Sequence, residues 1–125
     1  MRYMYLITTE KEIQDPPPPR LIEEMGKLMA RRIAEGSLID TAGLKPVAHA
    51  HRIALKQGKL SVFDGPFAES KEVIGGYAMF KFDTREQAIE AAMEFMELHR
   101  LHAPGWEFTC EMREINDQAT PQHPC

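Results

Sequence analysis

An α+β fold, in which an antiparallel sheet carries two helices on one face, is what this sequence predicts, and three observations predict it. Apolar residues recur at three- and four-residue steps in two stretches, from Arg20 to Glu35 and again after Thr84. Short runs rich in aromatic and β-branched residues lie before and after each stretch. Each stretch also carries a boundary signal: Gly36 stops the first, and the Thr84/Gln87 spacing of a capping box starts the second.

Residues 2 to 8, "RYMYLIT", read as the first strand. "EKEIQDPPPPR" follows; its four prolines favour a stiff extended connection and leave Pro19 suited to the first turn of a helix. In that helix Leu21, Ile22, Met25, Leu28, Met29 and Ile33 share a face. "SLIDTAGL" is a strand, "VAHAHRIALKQGKLSVFD" a hairpin turning at Gln57-Gly58, and "GYAMFKFD" another strand. Ala88, Ile89, Ala92, Met93 and Met96 form the apolar stripe of the second helix. After Pro104-Gly105, the residues Trp106, Phe108, Cys110 and Met112 alternate with Glu107, Thr109, Glu111 and Arg113, as a half-buried strand requires.

With the hairpin set aside, the order is β-α-β, β-α-β, which is the ferredoxin-like pattern. One domain over residues 1–115 and a polar tail over 116–125 are expected. Several strands are apolar on both sides: Tyr3, Tyr5 and Ile7 oppose Met4 and Leu6, while Tyr77 and Met79 oppose Ala78, Phe80 and Phe82. A sheet face of that character needs a cover beyond the two helices. A second copy is the simplest cover, so a homodimer through the sheet faces is expected to enclose a pocket.

Composition narrows the partners. Fifteen basic against nineteen acidic side chains give a net charge of -4, which offers no attraction to nucleic acid or to anionic membranes. The opening "MRYMYLITTE" has no long apolar region, and no stretch approaches the ~20 apolar residues of a membrane span. Two cysteines, one in an alternating strand and one at position 125, make no disulfide framework. A cytoplasmic protein is expected.

The hairpin places the candidate chemistry. A two-residue turn at Gln57-Gly58 pairs Lys56 with Lys59, Leu55 with Leu60, Ile53 with Val62 and His51 with Asp64. Opposed residues have Cβ atoms about 4.5–5.5 Å apart, which suits a His–carboxylate hydrogen bond and makes His51 and Asp64 a candidate acid–base pair. A three-residue loop instead sets Arg52 against Asp64 as a plain salt bridge. A carboxylate before Gly-Pro also serves many turns simply by accepting backbone N–H bonds. His49 and His51 have a chelating His-x-His spacing on one strand face, but Asp64 is the only evident third ligand, so neither metal nor cofactor is expected. Glycines 75 and 76 precede a strand rather than open a helix, which argues for a bend or close backbone approach and not for a phosphate loop.

"DGPFAESKEVIGGY", together with the upstream "GLKP" and the downstream "REQAIEAA", resembles the YCII-related, or DGPF-domain, family, with the likeness running from Tyr3 to Glu114. The family is widespread in bacteria. The resemblance implies a ferredoxin-like chain that dimerises through its sheets, with a pocket near the Asp-Gly-Pro corner. Its wider relatives among proteins of the dimeric α/β-barrel type include muconolactone isomerase-like and dehalogenase-like enzymes, and a His–Asp acid–base pair has been proposed for some members. Asp64, Gly65, Pro66, Phe67, Glu69, Lys71, Glu72 and Gly76 match motif positions, whereas His51 matches none and rests on the hairpin register. Phe63 and Ser70 stand where threonine is common in the family, and the former makes the corner less polar.

Two functions follow. In the first, Asp64 and His51 exchange protons with a small organic substrate in an isomerase- or lyase-type reaction; Arg52 or Lys71 holds a carboxylate, and Gly65, Pro66, Phe67, Glu69 and Tyr77 complete the binding surface. In the second, the protein is a non-catalytic ligand-binding or regulatory dimer whose acidic residues only shape the corner.

Overall fold

The structure, a computed structural model, describes residues 1–67 and 72–117. Among the described residues six strands and two helices run in the order β1 (Arg2–Thr9), α1 (Pro19–Ala34), β2 (Leu38–Gly43), β3 (His51–Lys56), β4 (Lys59–Asp64), β5 (Val73–Lys81), α2 (Arg85–His102) and β6 (Thr109–Glu114), with a 3₁₀ turn at Val47–His49 before β3. Four strands form one sheet in the order β2-β5-β1-β6, with every neighbouring pair antiparallel. This is the ferredoxin-like arrangement, and the β3-β4 hairpin forms a separate two-stranded sheet inserted between β2 and β5.

Local chemistry sets the helix boundaries. Pro19 begins α1, where its missing N–H is one the helix leaves unbonded in any case. Gly36 ends it at φ +82°, a conformation that lets the Ser37 N–H donate to the Arg32 carbonyl oxygen at 3.0 Å. At the start of α2 the Gln87 N–H donates to the Thr84 hydroxyl, while the Gln87 side chain accepts from the Thr84 N–H, so the capping box is complete.

Both helices lie on one face of the sheet. Tyr3, Tyr5, Phe80 and Phe82 pack there against Ala88 and Ala91 of α2, and the small alanines let the helix approach the aromatic layer. The buried Tyr5 hydroxyl is satisfied by the Ala88 carbonyl oxygen at 2.6 Å, and burial pushes its pKa far above the ordinary tyrosine value. Arg32 of α1 ties the helices together through Glu94 of α2 at 2.7 Å and also pairs with Glu35 at 2.7 Å. On the opposite face Met4 pairs with Met79 and Leu6 with Tyr77, all of them half-buried.

One expectation needs correction. The last strand begins at Thr109, so Trp106 and Phe108 precede it; they contact the His99 ring near the end of α2, Trp106 tilted and Phe108 edge-on. His99 donates from Nδ1 to the Phe95 carbonyl oxygen at 2.9 Å and is half-buried within an aromatic cluster. The tail from residue 118 onward lies outside the described residues.

Candidate functional site

The hairpin turn is built from two left-handed residues, Gln57 at φ 51° and Gly58 at φ 77°, the pattern of a type I′ turn whose twist matches its strands. This turn sets the register Lys56↔Lys59, Leu55↔Leu60, Ile53↔Val62 and His51↔Asp64. The two-residue loop therefore holds, and the alternative pairing of Arg52 with Asp64 does not. Instead Arg52 lies opposite Phe63 on the other face of the hairpin.

At the open end of the hairpin, His51 Nδ1 and Asp64 Oδ1 are 2.7 Å apart. The two side chains are 64 % and 79 % exposed in the single chain. Ile53, Leu55, Leu60 and Val62, on the same face, are 69, 69, 74 and 67 % exposed. An isolated two-stranded hairpin with an apolar face in water is marginal by itself, so this surface calls for a cover.

The Asp64–Gly65–Pro66 corner is clamped to the 3₁₀ turn. The Gly65 N–H donates to the Ala50 carbonyl oxygen at 2.8 Å, and the Val47 N–H donates to the Glu12 carboxylate at 3.1 Å. The Gly65–Pro66 peptide bond is cis. Just past the corner, the Arg52 guanidinium lies over the Phe67 ring, 3.8 Å from its centroid, close enough for cation–π attraction. His51, Arg52 and Phe67 line a shallow cleft of about 280 Å³, floored by Val73 and Ile74 of β5.

The structure thus brings together His51, Asp64, Arg52, Gly65, Pro66 and Phe67. Glu69 and Lys71 lie outside the described residues. Tyr77 lies apart from this group: its hydroxyl donates to Asp40 Oδ2 at 2.8 Å on the helix-free face of the sheet, and the carboxylate raises the phenol's pKa. His49 belongs to the 3₁₀ turn and not to the strand, so the expected His-x-His pair on one strand face does not form. Among the described residues no group of three His, Cys, Asp or Glu side chains is close enough to hold a metal ion.

Two contributors escaped the sequence reading. Asp40 reads in the sequence as a plain strand residue, although its place opposite β5 decides the partner of Tyr77. Glu12 sits in the proline-rich connection, where nothing in the local pattern announces that its carboxylate will brace residue 47.

Residues 1–95 match the family model of the YCII-related domain. The chain belongs to the YCII-related family. That match contains the whole hairpin, the Asp64–Phe67 corner and the first half of α2, while β6, which completes this YCII-related sheet, lies beyond it. No curated protein matches the chain. No described helix of this YCII-related protein is long and apolar enough to cross a membrane.

Proposed function

We propose that the protein works as a cytoplasmic bacterial homodimer in which hairpins and helix-free sheet faces enclose a pocket beside the Asp64–Phe67 corner. There His51 and Asp64 move a proton on a small organic molecule, in isomerase- or lyase-like chemistry that uses no cofactor. The observation that carries this reading is the 2.7 Å contact between His51 Nδ1 and Asp64 Oδ1 on an arm whose apolar side lacks cover among the described residues.

The roles follow from the geometry. With Nδ1–H donating to Asp64, the lone pair of His51 Nε2 is left to accept a proton from an acidic C–H, and Asp64 stabilises the imidazolium that forms. Arg52, oriented by the Phe67 ring, supplies positive charge for a substrate carboxylate. A partner copy laid over the hairpin removes water from around the pair and strengthens each of these interactions.

The exposure of His51 and Asp64 in the single chain favours a second reading, a dimer that binds a small ligand without transforming it. Proton exchange separates the two. Small lactones and 2-oxo acids are incubated with the protein in D₂O and followed by NMR. The catalytic reading expects deuterium at the carbon next to a carbonyl in at least one compound, reduced about 10²-fold or more by His51→Gln and by Asp64→Asn. Binding without exchange across the panel supports the second reading. Sedimentation of a monomer at low micromolar concentration, under reducing conditions, contradicts both.

A further inference from the structure

A different site lies on the helix side of the sheet. The strand registers align Gly43 with Gly76, Gly76 with Ile7 and Ile7 with Cys110, so one row across four strands carries two adjacent glycines. The next row, Thr41–Ala78–Tyr5, adds only an alanine at its centre. No side chain rises from the glycines to meet α1, and a cavity of about 220 Å³ remains beneath Met25 and Met29, walled by Phe95 and Ala91 of α2.

We infer that this cavity binds a small uncharged aromatic molecule, a single ring with a short substituent. Size supports the assignment, because an apolar cavity of about 150 Å³ already admits benzene. Chemistry supports it further. The Tyr5 hydroxyl is committed to Ala88 and the Thr41 hydroxyl to the Tyr77 carbonyl oxygen at 2.9 Å, while Arg32 at the rim is held by Glu35 and Glu94. No polar group among these is left over to compensate a buried charge on the ligand. The rest of the lining is apolar side chains, the Cys110 thiol and the glycine backbone, and the two methionines offer the sulfur–aromatic contacts and rotamer freedom that let a lining close around a ring.

Access and necessity both point to Gly43. It lies on β2, an edge strand of the sheet, and is exposed, so it marks the mouth. A Cβ at Gly43 meets nothing within 4 Å, so the local backbone does not demand glycine there. Gly76 differs, since a Cβ would lie 3.1 Å from the Ala42 carbonyl oxygen, and there the close approach of two strands accounts for the residue.

The test uses the full chain labelled with ¹³C at methionine methyls, with toluene as the probe and benzoate as the charged control. Toluene is expected to shift the Met25 and Met29 resonances, to give NOEs from its ring to both methyls, and to raise Tm. Benzoate does none of these. Gly43→Val is expected to raise Tm without toluene and to weaken toluene binding about tenfold or more. Absence of NOEs to Met25 and Met29 at saturating toluene overturns the assignment, as does toluene contact confined to the hairpin leucines Leu55 and Leu60. The wild-type NOE experiment decides the question even where Gly43→Val does not fold.

Discussion

Gly65 lies so close to Val47 that a Cβ on it would stand 1.9 Å from the Val47 carbonyl oxygen. The corner beside Asp64 is thus a backbone-on-backbone contact that admits no side chain. Gly65→Ala has to break either this contact or the hydrogen bond to Ala50, and we expect a loss of about 3 kcal/mol or more. Urea unfolding measures it. A loss below about 1 kcal/mol would mean that the corner relaxes freely, and the placement of Asp64 would then have no rigid support.

Arg32 joins α1 to α2 from a position where its side chain is 16 % exposed, and its guanidinium also lies 5.7 Å from the Phe82 ring centroid. Charge-assisted hydrogen bonds in a partly dry setting exceed surface pairs, so Arg32→Ala is expected to cost about 1.5–3 kcal/mol. A double-mutant cycle with Glu94→Gln isolates the interhelical share, expected at about 0.5–1 kcal/mol. A zero coupling energy would assign the effect of Arg32 to packing alone.

Burial holds the His99 imidazole below its usual pKa, and this outweighs the opposing effect of its bond to the Phe95 carbonyl. The folded protein therefore binds this proton less readily than the unfolded chain, and stability rises with pH through that interval. The contribution is complete above the ordinary histidine value of about 6.5 and declines as pH falls from there toward the lowered folded pKa. Unfolding midpoints at pH 7.5, 6.5 and 5.5 should fall more steeply in the native protein than in His99→Phe, which keeps a ring among Phe95, Trp106 and Phe108. Parallel slopes would show that the ring titrates as it does in water.

Cys110 is half-buried beside Ile7, and burial pushes its thiol up to about 11. At pH 8 its thiolate fraction is then on the order of 10⁻³, so in a Cys125→Ser background iodoacetamide should label it on the order of a hundredfold more slowly than a free thiol. Labelling in denaturant provides the reference rate. Rapid modification of the native protein would contradict the sheltered setting.

Much of this architecture was legible because its signals are local. Leu21, Met25 and Leu28 repeat with helical period, Thr84 and Gln87 are three apart, and Gln57-Gly58 leaves a hairpin only one economical register, which placed His51 opposite Asp64. Long-range facts were not legible. Gly75-Gly76 was readable as a bend, but the pairing of Gly76 with Gly43, which hollows the space beneath α1, depends on a register between strands more than thirty residues apart. The Tyr77–Asp40 bond needed the same register. Trp106 and Phe108 showed strand alternation, yet they precede the strand and contact the His99 ring, a long-range pairing that alternation does not encode.

The four-stranded sheet ends in β2 and β6, and each outer margin is unsuited to endless growth. Between Leu38 and Asp40 the register of β2 slips, which bends that margin out of line with an incoming strand. Along β6, Glu111, Arg113 and Glu114 are exposed and set charge against any chain that would extend the ladder. Fibrous aggregation by strand addition is thereby opposed at both sides, and concentrated solutions of the folded protein should resist it even though the hairpin remains oily.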